Sequence, residues 1–183
     1  MKKFELTENY KMCFGRKLFQ IRALISIKDI VESGELGGYI EKEDNLSHFG
    51  NSWVAGNACV YGNARVCENG LVYGNSHVFG MARVSGNSSV SGNALVYGFA
   101  HVSGDASVFE NARLFGNAWV LGNAHIFGNS YVQGDALVSL NAKVYGNASV
   151  GGNVWLSGNT HVFGDAYLFG NEWILGDEFV SAN

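Results

Sequence analysis

The chain has 183 residues, of which 47% are hydrophobic, and its formal net charge is -4 at pH 7, values typical of a single soluble domain. Its 25 glycines beside no proline indicate many turns and a backbone whose N–H groups pair with neighbouring strands. Beyond residue 47 the cations are Arg65, Arg83, Arg113 and Lys143, a distribution that excludes the basic footprint of a nucleic-acid-binding protein.

The cysteines and the N-terminus bear on the compartment of the protein. Cys13, Cys59 and Cys67 are odd in number and lack CxxC spacing, so the sequence predicts no disulfide framework and no metal site. The N-terminus lacks the apolar core of a signal peptide, and no stretch approaches the roughly 18 apolar residues of a membrane span. We therefore expect a reduced, cytoplasmic protein with no membrane partner.

Residues 1–47 are predicted to form a small β-rich cap. The candidate strands are KFELTE, KLFQIRALISI and GGYI, and ENYKMCFGRK is predicted as a turn region. The second strand is too apolar to stand alone, so we expect it to cover the open edge of the first coil that follows. His48 falls at an inward position of that coil and is expected to make a structural hydrogen bond.

A six-residue repeat of the form V-x-G-N-A-x runs without interruption from Val54 to the C-terminus. Its first position recurs 22 times, and each occupant is Val, Ile or Leu. Positions 5, 6, 1 and 2 predict a short strand with positions 5 and 1 inward, and Gly-Asn predicts the corner. Residues 48–183 are therefore predicted to form an all-β parallel β-helix of about seven coils.

The outward position 2 distinguishes a three-sided from a two-sided coil. Sampled every 18 residues, it gives three columns that begin at Ala55, Tyr61 and Cys67. The first two columns are rich in aromatic residues, whereas the third is rich in serine and has no aromatic. Sampling every 12 residues mixes the two types, so the sequence predicts three sides.

The repeat resembles the hexapeptide-repeat family, in which an aliphatic residue is followed four positions later by a small one, as Val60 is by Ala64. This resemblance implies a left-handed parallel β-helix. It also implies acyltransferases, usually trimeric, with a catalytic histidine and a loop thrown out of one coil. The segment Gly37 to Val54 resembles the entry motif of such proteins from phages, prophages and enteric bacteria, often labelled acetyltransferases. The hexad phase here never slips, so no such loop is predicted.

Polar residues of the repeat supply the candidate catalytic and binding groups. Outward position 6, where a catalytic base could lie, holds His77, His101, His125 and His161. His125 and His161 share a column with Lys143 between them, about 10 Å apart, which is too far for one metal ion. Arg65 and Arg83 share a column with His101. This set is the candidate for an acyl-donor site, with His101 as base and the arginines binding the phosphates of acetyl-CoA.

Acidic residues of the repeat fall at two kinds of position. Four aspartates replace asparagine at corners and are predicted as turn residues, namely Asp105, Asp135, Asp165 and Asp177. Glu172 and Glu178 instead occupy the inward small position, where burial of a carboxylate is costly. The last coils are therefore expected to be open or covered by a partner.

The aromatic columns predict an interface, because a contiguous apolar strip on a rod usually marks one. The predicted interface residues are Tyr61, Tyr73, Phe79, Tyr97, Phe109, Phe115, Phe127, Tyr145, Phe163 and Phe169. The alternative is that they stack within their own columns and stiffen the sheet. Two unlike aromatic sides favour a three-fold ring over a two-fold dimer, so a homotrimer is the expected assembly.

Two functions fit these features. The first is a non-catalytic protein-binding or scaffold protein without a cofactor, of the phage or prophage type, that engages a host protein such as a defence component. The second is an acyltransferase that uses acetyl-CoA. The unbroken repeat favours the first, so an enzyme is the less favoured interpretation. Ice binding is disfavoured because the serine-rich side has no regular T-x-T ladder.

Overall fold

The computed structural model describes residues 2–182, nearly all of which lie in short strands or in the turns between them. Successive coils are 18 residues apart, since Cys59 pairs with His77 and His101 with Trp119 in parallel register. Three parallel sheets form the sides of a β-solenoid of about eight turns. The predicted all-β, three-sided parallel coil is therefore confirmed.

Side 1 of the solenoid continues the sheet of the cap, so that ten strands form one sheet. The cap contributes β1 (Phe4–Cys13), β2 (Arg16–Ala23) and β3 (Leu36–Ile40). Side 1 proper contains β5 (Cys59–Val60), β8 (His77–Val78), β11 (Leu95–Val96), β14 (Arg113–Leu114), β17 (Tyr131–Val132), β20 (Ser149–Gly152) and β23 (Tyr167–Gly170).

Sides 2 and 3 are sheets of eight and seven strands. Side 2 contains β4 (Trp53–Val54), β7 (Leu71–Val72), β10 (Ser89–Val90), β13 (Ser107–Val108), β16 (His125–Ile126), β19 (Lys143–Val144), β22 (His161–Phe163) and β25 (Phe179–Ser181). Side 3 contains β6 (Arg65–Val66), β9 (Arg83–Val84), β12 (His101–Val102), β15 (Trp119–Val120), β18 (Leu137–Val138), β21 (Trp155–Gly158) and β24 (Trp173–Gly176).

The solenoid has one turn more than the roughly seven that the hexads predict. Strand β3 already pairs in parallel with β5, and Leu46 forms a parallel bridge with Val66. Together with β4 these residues complete a turn ahead of the first full hexad. The hexad count missed this turn because the sequence between β3 and β4 does not follow the V-x-G-N-A-x form.

The core is a stack of one branched and one small residue per strand, as the alternation predicts. Val60, Ala64 and Val78 are each fully buried, and the same holds along most of the repeat. Hydroxyl residues replace alanine at some small positions, and each hydroxyl donates to the carbonyl three residues earlier. Ser88 donates to Ser85 O at 2.6 Å and Thr160 to Ser157 O at 2.7 Å. Buried hydroxyls are thereby satisfied within their own turn.

The corners require a left-handed backbone at position 3. Gly98 has φ 73°, and a Cβ at this position would lie 2.9 Å from the carbonyl oxygen of Gly116 in the next coil. The three described non-glycine residues at this position, Glu68, Glu110 and Leu140, have φ values of 59°, 60° and 57°. Corner asparagines then donate along the rod, for example Asn93 Nδ2 to Asn111 Oδ1 at 3.1 Å. These side-chain ladders tie the turns together.

The cap differs in detail from its prediction. Strand β1 runs on to Cys13, and the turn is confined to Phe14 and Gly15, which both have positive φ. The predicted turn region ENYKMCFGRK is therefore mostly strand. Phe4 and Ile21 are fully buried and pack against the first coils, so the cap does cover the start of the core.

Helix contributes almost nothing to the described residues. Within residues 2–182 the single helical segment is a 3-10 turn, Glu43–Asn45. The buried Asn45 side chain holds it in place, accepting from the Lys42 N–H at 3.0 Å and donating to Ala64 O at 2.9 Å. In the same described range, no helix has the length and apolar character needed to cross a membrane.

Candidate functional site

Side 1 carries an aromatic ladder formed by Tyr61, Phe79, Tyr97 and Phe115. The ring centroids of successive rungs are 5.0, 4.9 and 4.9 Å apart, and the ring planes lie within 4° of parallel. This spacing follows the separation of adjacent strands, about 4.8 Å, because all four residues hold position 2 in register. The rings therefore stack face to face along the rod.

Side 2 carries a second ladder formed by Phe109, Phe127, Tyr145 and Phe163. Its centroid distances are 5.0, 4.9 and 5.4 Å. Each of these four rings is half-buried. Stacking buries the faces of the rings, so the solvent meets mainly their edges.

Two of the ten predicted interface residues lie outside the ladders. Tyr73 is 44% exposed and is separated from the side 2 ladder by Ser91. Phe169 lies over Gly151, where an added Cβ would come within 2.3 Å of the ring. Its ring also stacks on Tyr167 with a centroid distance of 4.3 Å. Eight of the ten predicted residues therefore form the two ladders.

Imidazoles from position 6 meet the ladders edge-on. His125 contacts Phe109 with a centroid distance of 6.4 Å, and His161 contacts Tyr145 at 5.9 Å. Lys143 lies between these histidines in the register. Burial, followed by the charge of Lys143, lowers the pKa of His125. Side 2 thus presents an aromatic stripe bordered by imidazoles and one ammonium.

The cap hairpin covers the first rung of the side 1 ladder. Leu18 of β2 is fully buried against Cys59 and Tyr61, and Tyr39 and Phe79 pack around them. Tyr61 is only 5% exposed, and burial raises its pKa. The predicted exposure of Tyr61 is therefore wrong, because the cap packs on this position. The remaining rungs extend beyond the hairpin.

Side 3 carries the column predicted as an acyl-donor site. Arg65, Arg83 and His101 are neighbours in the parallel register, and the ring of Trp119 stacks on His101 with a centroid distance of 5.0 Å. The column borders a groove of about 400 Å³ that Lys42 also lines. Burial, followed by the charge of Arg83, lowers the pKa of His101. A neutral imidazole beside several cations is the result.

A cluster of Cys13, Cys59 and His77 was not anticipated from the sequence. One sulfur or nitrogen atom from each residue lies within 4.8 Å of the other two. No short-range motif signals this cluster, because its members are separated by 46 and 18 residues. The one available signal was that Cys59 and His77 share a position 6 column, and the cap supplies Cys13.

The junction of cap and solenoid contains a buried lysine. Lys3 Nζ donates to Ser52 O at 2.7 Å and to Ser52 Oγ at 3.0 Å, and burial lowers its pKa to about 8. His48 Nδ1 accepts from the Lys3 N–H at 3.2 Å, and its ring stacks on Phe4. His48 Nε2 lies 3.6 Å from Glu43 Oε2, just beyond hydrogen-bond distance. The expected structural hydrogen bond of His48 is confirmed.

Glu172 and Glu178 lie on the surface of the last described coil. Both are exposed, and Leu168, Ile174 and Val180 of the same coil are only half-buried. The expectation that this end of the core is open is therefore confirmed for residues 2–182.

Comparison of the chain with family models and with curated proteins gave no match. Function must therefore be inferred from the side chains that the three sides present. The two ladders, the basic column and the cysteine–histidine cluster are the four candidates.

Proposed function

We propose that this protein is a non-catalytic scaffold that binds protein through its two aromatic ladders. The observation that carries this proposal is the packing of the cap on Tyr61. The chain itself places a β-hairpin on one end of a ladder and buries the first rung almost completely. A ladder is thus a surface on which a protein segment packs, and the uncovered rungs offer the same surface to a partner.

The composition of the uncovered surface supports this role. Cores of protein interfaces are enriched in Tyr, Phe, Trp, Met and Arg. On side 1, Arg113 lies 5.3 Å over the ring of Tyr131 beside the ladder, and on side 2, His125 meets the edge of Phe109. Aromatic rings that are already stacked lose little rotamer freedom when a partner binds. A smaller ordering cost leaves more of the contact energy for binding.

The partner we propose first is another copy of this chain. Sides 1 and 2 each carry a ladder, whereas position 2 of side 3 has no aromatic residue. A three-fold ring would press side 1 of each subunit on side 2 of the next, which uses both ladders. A host protein is the further partner that we propose. That part, and the phage or prophage setting, rests on the resemblance of the segment Gly37 to Val54.

A photo-crosslinking residue tests which side makes the contact. Placed at Tyr145 on side 2, it is expected to link two chains, and the attachment point in the second chain should lie on side 1. Placed at Leu121, which holds position 2 on side 3, it should give no link. Equal crosslinking from Tyr145 and Leu121 would contradict contact through the ladders.

The groove beside His101 supports acyl transfer from acetyl-CoA as a second candidate function. Lys42, Arg65 and Arg83 line this groove and could hold the phosphates of the donor, while a neutral His101 could act as a base. Against it stands the regular solenoid, which has no loop to enclose a substrate between Val54 and Val180.

A thermal-shift titration with acetyl-CoA tests this second function. The scaffold proposal expects no stabilisation. A stabilisation that is lost in Arg83→Gln, but kept in Arg113→Gln on side 1, would favour the acyltransferase instead.

A further inference from the structure

The tip of the cap hairpin brings a thiol to a neighbouring thiol and imidazole on side 1. Cys13 is the last residue of β1, and Cys59 and His77 are register partners on β5 and β8. Cys13 Sγ lies 3.8 Å from His77 Nδ1, and all three ligand atoms lie within 4.8 Å of one another. Residues far apart in the chain thus converge on one point.

These separations suit a tetrahedral metal ion with sulfur and nitrogen ligands. Zinc lies about 2.3 Å from sulfur and about 2.0–2.1 Å from nitrogen, which places neighbouring ligand atoms roughly 3.5–3.8 Å apart. The Sγ–Nδ1 distance of 3.8 Å is already in this range. Bringing all three atoms into it requires shifts of less than about 1 Å.

The surroundings of the cluster favour metal binding over hydration of the free groups. Cys59 is fully buried, Cys13 and His77 are half-buried, and the rings of Phe14 and Tyr61 meet the imidazole edge-on. Two thiolates balance the charge of a divalent cation. Lys11 lies nearby but has partners of its own, since Nζ donates to Asn57 O at 2.8 Å and lies 4.0 Å from the centre of the Tyr39 ring.

We propose that Cys13, Cys59 and His77 bind one zinc ion, with the fourth coordination position open to solvent. Binding would release the protons of the two thiols and would join the hairpin tip to the first coils of the solenoid. The ion would then hold the cap on the side 1 ladder. This site is independent of the partner-binding proposal, because it requires no second chain.

Cobalt and zinc titrations of the reduced, metal-free protein test the proposal. Co²⁺ is expected to bind one per chain, with visible bands of tetrahedral intensity and a sulfur-to-cobalt charge-transfer band, and Zn²⁺ should displace it. Cys13→Ser should weaken Zn²⁺ binding by more than about 100-fold, since even outer-shell changes cost about 10–100-fold. Cys67→Ser, which changes the one cysteine outside the cluster, should bind both ions as the unchanged protein does.

Several results would overturn this assignment. Substoichiometric binding of Zn²⁺ to the fully reduced protein is one, and a cobalt spectrum without a sulfur charge-transfer band is another. Equal loss of affinity in Cys67→Ser and Cys13→Ser would also contradict it. Mapping of a Cys13–Cys59 disulfide in protein that binds no metal once reduced would assign the pair a redox role instead. The cobalt spectrum needs no variant, so the test holds even if a variant folds poorly.

Discussion

Asn87 Nδ2 donates to Asp105 Oδ1 at 2.9 Å, and the asparagine ladder of this corner stops at that carboxylate. One coil further, Asn123 donates onward to Asn141 at 3.0 Å, so its own oxygen faces Asp105. A carboxylate accepts hydrogen bonds and cannot donate one. Two acceptors therefore face each other where the ladder is interrupted.

Replacing this aspartate should repair the ladder. Asp105→Asn supplies a donor for the Asn123 oxygen, and one added hydrogen bond is expected to raise the free energy of unfolding by about 0.5–1.5 kcal/mol. Chemical denaturation measures this difference. Asp44→Asn, which removes the same charge near the 3-10 turn, is the control. An equal gain in both variants would attribute the effect to net charge.

Leu140 should be destabilising where it stands. Its φ is 57° and its side chain is 57% exposed, so it bears the strain of a left-handed backbone with little burial in return. That conformation costs a residue with a Cβ roughly 1–2 kcal/mol. We expect Leu140→Gly to stabilise the protein by about 1 kcal/mol. The matched change Leu137→Gly, on strand β18, should instead destabilise it, and thermal unfolding compares the two.

The buried Lys3 predicts a pH dependence at the cap. Its pKa falls from 10.5 to about 8 on folding, so between these values the unfolded chain binds more protons than the folded one. Stability contributed by this group should therefore rise with pH across that window, by at most about 3 kcal/mol. The measurement is the stability difference between the unchanged protein and Lys3→Met at pH 7.5 to 10.5, values that bracket the window on the scale of ordinary titration curves.

Exposed Lys28→Met provides the comparison for Lys3, because its side chain lies in water on the loop after β2. A stability difference that grows equally with pH in both variants would contradict a special role of Lys3.

Leu18 is predicted to hold the cap on the side 1 ladder. It is fully buried against Tyr61, and Leu→Ala changes at such positions cost about 2–5 kcal/mol. Leu18→Ala should raise amide hydrogen exchange in β1 and β2, while exchange on side 3 stays unchanged. Leu24→Ala, at a position 40% exposed, is the control. Uniform acceleration over the whole rod would show that the cap is not a separate unit.

The regular part of the fold follows from the sequence because each coil repeats the same local chemistry. Val78 and Ala82 could be placed inward from their hexad positions alone, and the 18-residue columns give the number of sides. The resemblance implies the hand of the coil, since periodicity is the same for either hand.

Features formed between unlike segments were not predictable in this way. Leu46 forms part of a turn that lacks the repeat, so no period marks it. Tyr61 occupies an outward position but is buried by the cap, whose docking no hexad rule describes. Cys13 meets Cys59 and His77 only because β1 is longer than its composition suggests. Long-range contacts of the cap therefore decide what the repeat alone leaves open.

The mass of the protein in solution, measured by light scattering, tests the role of the ladders most directly. The proposal predicts three times the chain mass of 19.7 kDa for the unchanged protein and for Leu121→Lys on side 3. Phe127→Lys, at the same hexad position within the side 2 ladder, should shift the mass toward that of one chain. A single-chain mass for all three proteins, or a trimer that Phe127→Lys leaves intact, would contradict assembly through the aromatic ladders.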